Sequence, residues 1–129
     1  MTDLPRPRVL QVGKMPLPAL DNDLAAEFDI TILSEQTDRD QFLSQHGAQF
    51  EYLVTSASMG APAALIRALP RLRCISSFGV GFDSLDRESI VAQGARVGYT
   101  PGVLDDCVAD MAFALLLDSA RHLSAADRF

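Results

Sequence analysis

The sequence predicts an α/β protein: a flavodoxin-like wound parallel sheet of five strands with flanking helices, followed by a long C-terminal helix. Three observations carry this. Short apolar runs alternate with longer mixed segments in strict order, each mixed segment opens near a Pro, Thr or Asp, and two of them close near Gly47 and Gly94. Parallel neighbours need crossover connections, and those crossovers are right-handed, so a β-α-β-α order builds a sheet with helices on both faces.

The strand candidates are Arg8–Val12, Phe28–Leu33, Tyr52–Thr55, Cys74–Ser77 and Arg96–Gly98. Between them the spacing predicts helices over Pro18–Glu27, Thr37–His46, Pro62–Leu69 and Asp86–Gln93. The wound pattern is complete near residue 100. After the turn Tyr99-Thr100-Pro101-Gly102, apolar residues at Val108, Met111, Ala112, Leu115, Leu116 and Leu123 predict one helix from Asp105 to Arg128. Its apolar stripe widens through Phe113 and Leu117, more than one small sheet requires.

Composition narrows the function classes. A chain of 129 residues, 48% hydrophobic, supports one real core and is not disordered. A net charge of −6 with eleven scattered basic residues argues against a nucleic-acid surface. The N-terminal MTDLPRPRVLQV lacks an apolar leader core and the run Met111–Leu117 is too short to span a bilayer, so no membrane role and a cytoplasmic location are expected. Two cysteines, Cys74 and Cys107, without CxxC spacing or a histidine cluster, predict reduced thiols, Cys74 buried in a strand, and no metal site.

Ser77-Phe78-Gly79-Val80-Gly81-Phe82-Asp83 has the look of a dinucleotide loop and fails as one. Ser84 stands where a third glycine belongs, and the loop follows the fourth strand rather than the first. After the first strand stands Gly13-Lys14-Met15-Pro16, which is no fingerprint either. Two glycines flanking Val80 do allow a tight loop at the carboxyl end of a parallel strand, where backbone N–H groups can converge on an anion. A purely structural turn is the alternative reading of the same residues. A receiver-type phosphoacceptor domain shares the architecture but needs acids where Gly13-Lys14 and Thr55-Ser56 stand.

The run Leu69–Asp86, with Gly94-Ala95-Arg96-Val97 and Thr100-Pro101-Gly102-Val103-Leu104-Asp105-Asp106-Cys107-Val108-Ala109-Asp110, resembles the N-terminal part of the D-isomer-specific 2-hydroxyacid dehydrogenases of the glyoxylate/hydroxypyruvate reductase kind. The similarity is strongest from Leu69 to Phe129. It implies that residues 1–100 are a substrate domain and 101–129 a linker and helix crossing toward a Rossmann coenzyme domain. It implies that the loop Gly79-Val80-Gly81 holds the carboxylate of a 2-oxo acid through the amides of Val80 and Gly81, with Ser56 and Ala57 on a second wall. A serine after a strand also serves simply as a turn residue. Val108 is implied to abut a bound nicotinamide nucleotide, NAD or NADP, while Asp105 and Asp106 also suit a helix N-cap and first turn.

In that family the polarising arginine, the histidine and the glutamate come from regions C-terminal to residue 129. No catalytic residue is therefore expected within this chain, and neither His46 nor His122 substitutes. The expectation is a truncated substrate domain, inactive by itself and without tight cofactor binding, whose helix 105–128 meets a coenzyme domain or a second copy. The alternative is a non-enzymatic binding or dimerisation module derived from that domain. A β-branched residue at Gly81 is expected to crowd the carboxylate or be excluded by the backbone φ.

Overall fold

A computed structural model describes residues 6–128. The first five residues of the N-terminal segment read above and Phe129 lie outside it. The elements are β1 (Arg8–Gln11), α1 (Pro18–Glu27), β2 (Asp29–Ile32), α2 (Arg39–His46), β3 (Tyr52–Ser56), α3 (Ala63–Arg67), β4 (Cys74–Phe78), α4 (Arg87–Gln93), β5 (Arg96–Gly98), α5 (Asp105–Arg121) and α6 (Leu123–Ala126), with single 3₁₀ turns at Leu33–Glu35 and Gly47–Gln49. The five strands are all parallel, in the order β2-β1-β3-β4-β5. This is the predicted wound sheet.

Right-handed crossovers explain which face each helix covers. The step from β1 to β2 runs one way across the sheet and places α1 on one face; the steps onward to β3, β4 and β5 run the other way and place α2, α3 and α4 on the opposite face. Leu10 pairs with Leu53, Leu53 with Ile75 and Ile75 with Val97, so these side chains line one face. Leu10, Leu53 and Ile75 join Leu65, Ile66 and Leu69 in one buried cluster, against which Phe42 and Leu43 of α2 pack. Each such side chain contributes about 1.5–3 kcal/mol by leaving water. The other face is covered only over β1, where Gln11 reaches Asp21 of α1. Over β3 and β4 it is open, with Tyr52 36% and Phe78 40% exposed.

Boundaries moved where side chains compete with the helix. Asp38 accepts from Gln41 N–H at 2.9 Å, so α2 begins at Arg39 rather than Thr37. Asp86 caps α4 the same way, and the hydrogen bonds from Ser89 hold its carboxyl below the usual range. β3 and β4 each run one residue further than expected, to Ser56 and Phe78. Cys74 is in its strand but only half-buried, on the open face rather than in the core; Cys107 is exposed.

The single helix predicted from Asp105 to Arg128 is not formed. α5 ends at Arg121 after 17 residues, because His122 takes a left-handed conformation (φ 55°) and a short α6 follows. The carboxylate of Asp118 accepts from Ser124 N–H at 2.6 Å and from its hydroxyl at 2.8 Å, drawing the chain into this turn. Those two bonds keep the Asp118 carboxyl below its ordinary range. Apolar periodicity continues to Leu123 but does not report a local side-chain to backbone competitor.

Candidate functional site

In an open parallel sheet the strand ends create a crevice where the winding direction reverses, here between β1 and β3. The carboxyl ends bring together Gly13-Lys14-Met15 after β1, Ser56–Met59 after β3, Phe78–Phe82 after β4 and Tyr99-Thr100 after β5. The buried Gln11 amide donates to Gly13 O at 2.8 Å and to Asp21 at 2.7 Å, and Met15 N–H donates to the same Asp21 oxygen, fixing the first of these loops. Lys14 projects there, exposed and 3.1 Å from Glu35.

The two loops singled out by the sequence meet. Ala57 N–H donates to Phe78 O at 3.0 Å, extending the β3–β4 ladder into the turns, and Ser84 Oγ donates to Ala57 O at 2.7 Å. Gly79 has φ +128°, and a Cβ there would stand 3.0 Å from the Ala57 methyl. Glycine is required at this position both by conformation and by the approach of Ala57. Gly81 differs from expectation. Its φ is not in the left-handed region, and a Cβ would lie an ordinary 3.9 Å from Ala57.

Val80 and Gly81 are half-buried, and among the described residues their amides donate to no protein acceptor. Successive backbone N–H groups in such a turn can converge on an anion. The Ser56 hydroxyl accepts from Met59 N–H at 3.2 Å and pairs with Ser58 Oγ at 3.0 Å, so it organises the turn that presents Ala57. Thr100, which sequence reasoning passed over, donates its N–H to Gly79 O at 3.0 Å. Only topology could disclose that contact, since 21 residues separate the two.

The catalytic-domain model of the D-isomer specific 2-hydroxyacid dehydrogenases matches residues 10–124. The chain belongs to this family. It is 37% identical over 110 residues to glyoxylate/hydroxypyruvate reductase A of Arabidopsis thaliana, covering 85% of this chain and 35% of that protein. It is 35% identical over 107 residues to a glyoxylate reductase of Pyrococcus horikoshii, covering 82% and 32%. Among solved structures, a 2-hydroxyacid dehydrogenase of Ketogulonicigenium vulgare superposes with a TM-score of 0.84 at 35% identity, covering 96% of this chain and 39% of that one. An NADPH-dependent glyoxylate/hydroxypyruvate reductase of Sinorhizobium meliloti, in complex with NADP and malonate, gives 0.67 at 31% identity, covering 88% and 34%. The chain thus spans about a third of the length of the curated relatives it matches.

The N-terminus of α4, after the glycine loop, is already capped by the Asp86 carboxylate, and α1 opens on Leu17-Pro18 with Asp21 in its first turn. Val108, in the first turns of α5, is 61% exposed and offers only an apolar surface. His46 lies at the edge opposite the crevice. His46 stacks on Phe42 at 5.0 Å and contacts Gln49, which binds Arg8 at the amino end of β1, the opposite edge of the sheet. His122 sits in the turn that ends α5. No cluster of His, Cys, Asp or Glu able to hold a metal occurs among the described residues, and no helix there is long and apolar enough to cross a membrane.

Proposed function

We propose that this chain is the substrate-binding domain of an NAD(P)-dependent D-2-hydroxyacid dehydrogenase that reduces a 2-oxo acid such as glyoxylate or hydroxypyruvate. The amides of Val80 and Gly81, which donate to no protein acceptor among the described residues, carry the reading: they are available to a carboxylate at the edge where Ala57 approaches the loop. The reductase names of the relatives support the substrate class. Val108 then faces the nicotinamide nucleotide held by a coenzyme domain, with residues 101–129 as the connection.

Titration of the isotopically labelled chain with oxalate, a stable mimic of a 2-oxo acid carboxylate, tests the site. The Val80 and Gly81 amide resonances are expected to move first and saturably. Movement confined to the arginine-bearing amino edge of the sheet would overturn the assignment. Gly79→Val is expected to weaken oxalate about ten- to a hundredfold, the range of a strained φ at a binding loop. Gly81→Val should weaken it less, since only the approach of the acid is crowded. In the complete dehydrogenase both changes should spare NAD(P)H affinity, measured by fluorescence titration.

The alternative, an assembly module, has its own observation. Met111, Phe113, Leu115 and Leu116 on α5 are 59–68% exposed, and the sheet face around Tyr52 and Phe78 is open. Burying each large side chain is favourable by about 1.5–3 kcal/mol, so α5 is expected to pair with a second copy in a two-fold dimer or with a coenzyme domain. Sedimentation equilibrium should show concentration-dependent association that Leu116→Lys abolishes. A strict monomer with unprotected α5 amides removes this helix from any interface.

A further inference from the structure

Ala57 is tied to both feet of the glycine loop. Its N–H donates to Phe78 O at 3.0 Å where the loop begins, and its carbonyl accepts from Ser84 Oγ at 2.7 Å where the loop ends. Its methyl lies against the glycines between them, since a Cβ on Gly79 would stand 3.0 Å from it and one on Gly81 3.9 Å. Among the described residues, four hydrogen bonds join the stretch Ala57–Ala61 to residues 78–86. Three run between backbones, from Ala57 N–H to Phe78 O, from Ala61 N–H to Ser84 O and from Asp86 N–H to Ala61 O, and any residue but proline makes them. The fourth needs the hydroxyl of residue 84, and no other donor among the described residues reaches Ala57 O.

We infer that Ser84 is a positioning residue of the acid site, whose hydroxyl holds Ala57 against the glycine loop. It acts through Ala57. The effect on binding rests on the carboxylate reading above, while the grip itself does not. Without the hydroxyl, the peptide that follows Ala57 has lost its one donor and is free to turn, and the methyl leaves Gly79. The loop backbone then has freedom that an arriving acid must remove, and this ordering cost is read as lost affinity. The bridge between Ala61 and Leu85 is made by backbone alone and stays in place, which confines the change to Ala57. A third glycine at position 84, as in a dinucleotide loop, would lack this grip.

The experiment uses the labelled chain with Ser84→Ala and Ser84→Thr. Ser84 is exposed, so the threonine methyl meets solvent. Without acid, Ser84→Ala is expected to speed Ala57 amide exchange about two- to tenfold, the worth of one hydrogen bond, and to move the Ala57 carbonyl resonance. The Ala61 and Asp86 amides should exchange as before, and Ser84→Thr should restore Ala57. With oxalate, Ser84→Ala should raise the dissociation constant by a similar factor, and Ser84→Thr should leave it unchanged. An Ala57 amide and carbonyl that do not respond to Ser84→Ala overturn the grip. Equal acceleration at Ala57, Ala61 and Asp86 overturns it too, because the loosening is then general to the fold. Faster Ala57 exchange with unaltered oxalate affinity overturns the role of Ser84 at the site. If oxalate moves neither Val80 nor Gly81 in the unaltered chain, the carboxylate reading fails, and the acid-free measurements alone decide whether Ser84 positions Ala57.

Discussion

Assayed by itself with NADH or NADPH, the 129-residue chain is expected to reduce neither glyoxylate nor hydroxypyruvate. Hydride transfer to a 2-oxo acid needs a cation to polarise the carbonyl and an acid to protonate the developing alkoxide; each such group is worth roughly 10²–10⁴-fold in rate. Around the Val80–Gly81 loop the described residues supply amide donors and the Ala57 methyl. Of the cations near this edge, Lys14 is paired with Glu35 and the Arg87 guanidinium lies over the Phe82 ring, 5.5 Å from its centre; His46 belongs to the opposite edge. Tight capture of the cofactor by this chain is likewise not expected. Loss of nicotinamide absorbance measures the result. A turnover that survives repeated purification and scales with this chain's concentration would contradict the proposal that it carries only one wall of the active site.

Gly60→Ala is expected to cost the fold about 3 kcal/mol or more, from a left-handed conformation and an overpacked backbone contact together. Gly60 has φ +69°, and a Cβ there would stand 2.4 Å from Ser84 O. The contact cannot open cheaply. Ala61 N–H donates to the same Ser84 carbonyl at 3.0 Å, and Asp86 N–H donates back to Ala61 O at 3.0 Å. Thr55 Oγ1 donates to Gly60 O at 2.6 Å from inside the sheet. Pushing residue 84 away unpairs this bridge, uncovers Ala61 and Leu85 from the core and loosens the Ser84 bond to Ala57 that joins the site's walls. Since domains of this kind are stable by only about 5–15 kcal/mol, urea denaturation should show a large drop in midpoint. A change below ~1 kcal/mol would mean that the two loops adjust independently.

Much of this arrangement was legible in the residues because it rests on local rules. Alternating apolar runs placed β5 at Arg96–Gly98 and α1 at Pro18–Glu27 with the observed ends, and the glycines around Val80 located the loop. What they could not show was which glycine the loop depends on. Gly79 and Gly81 are equivalent as letters, but only Gly79 faces the Ala57 methyl and takes a positive φ. Ser56 likewise reads as a site residue or a turn residue, and its hydroxyl is engaged within the turn.

The sequence by itself determined the family, the wound order of elements and the position of the glycine loop after β4, since periodicity, punctuation by Gly and Pro, and contiguous motifs act over short stretches of chain. A local contact, the grip of Asp118 on Ser124, ended α5 at Arg121 where the apolar period ran on. Tertiary structure alone decided two things. It left one sheet face open over β3 and β4, because the right-handed return from β2 carried α2, α3 and α4 to the other side. It brought Thr100 and Tyr99 onto Gly79 and Phe82, a meeting set by the parallel pairing of β4 with β5 rather than by any property of those residues alone.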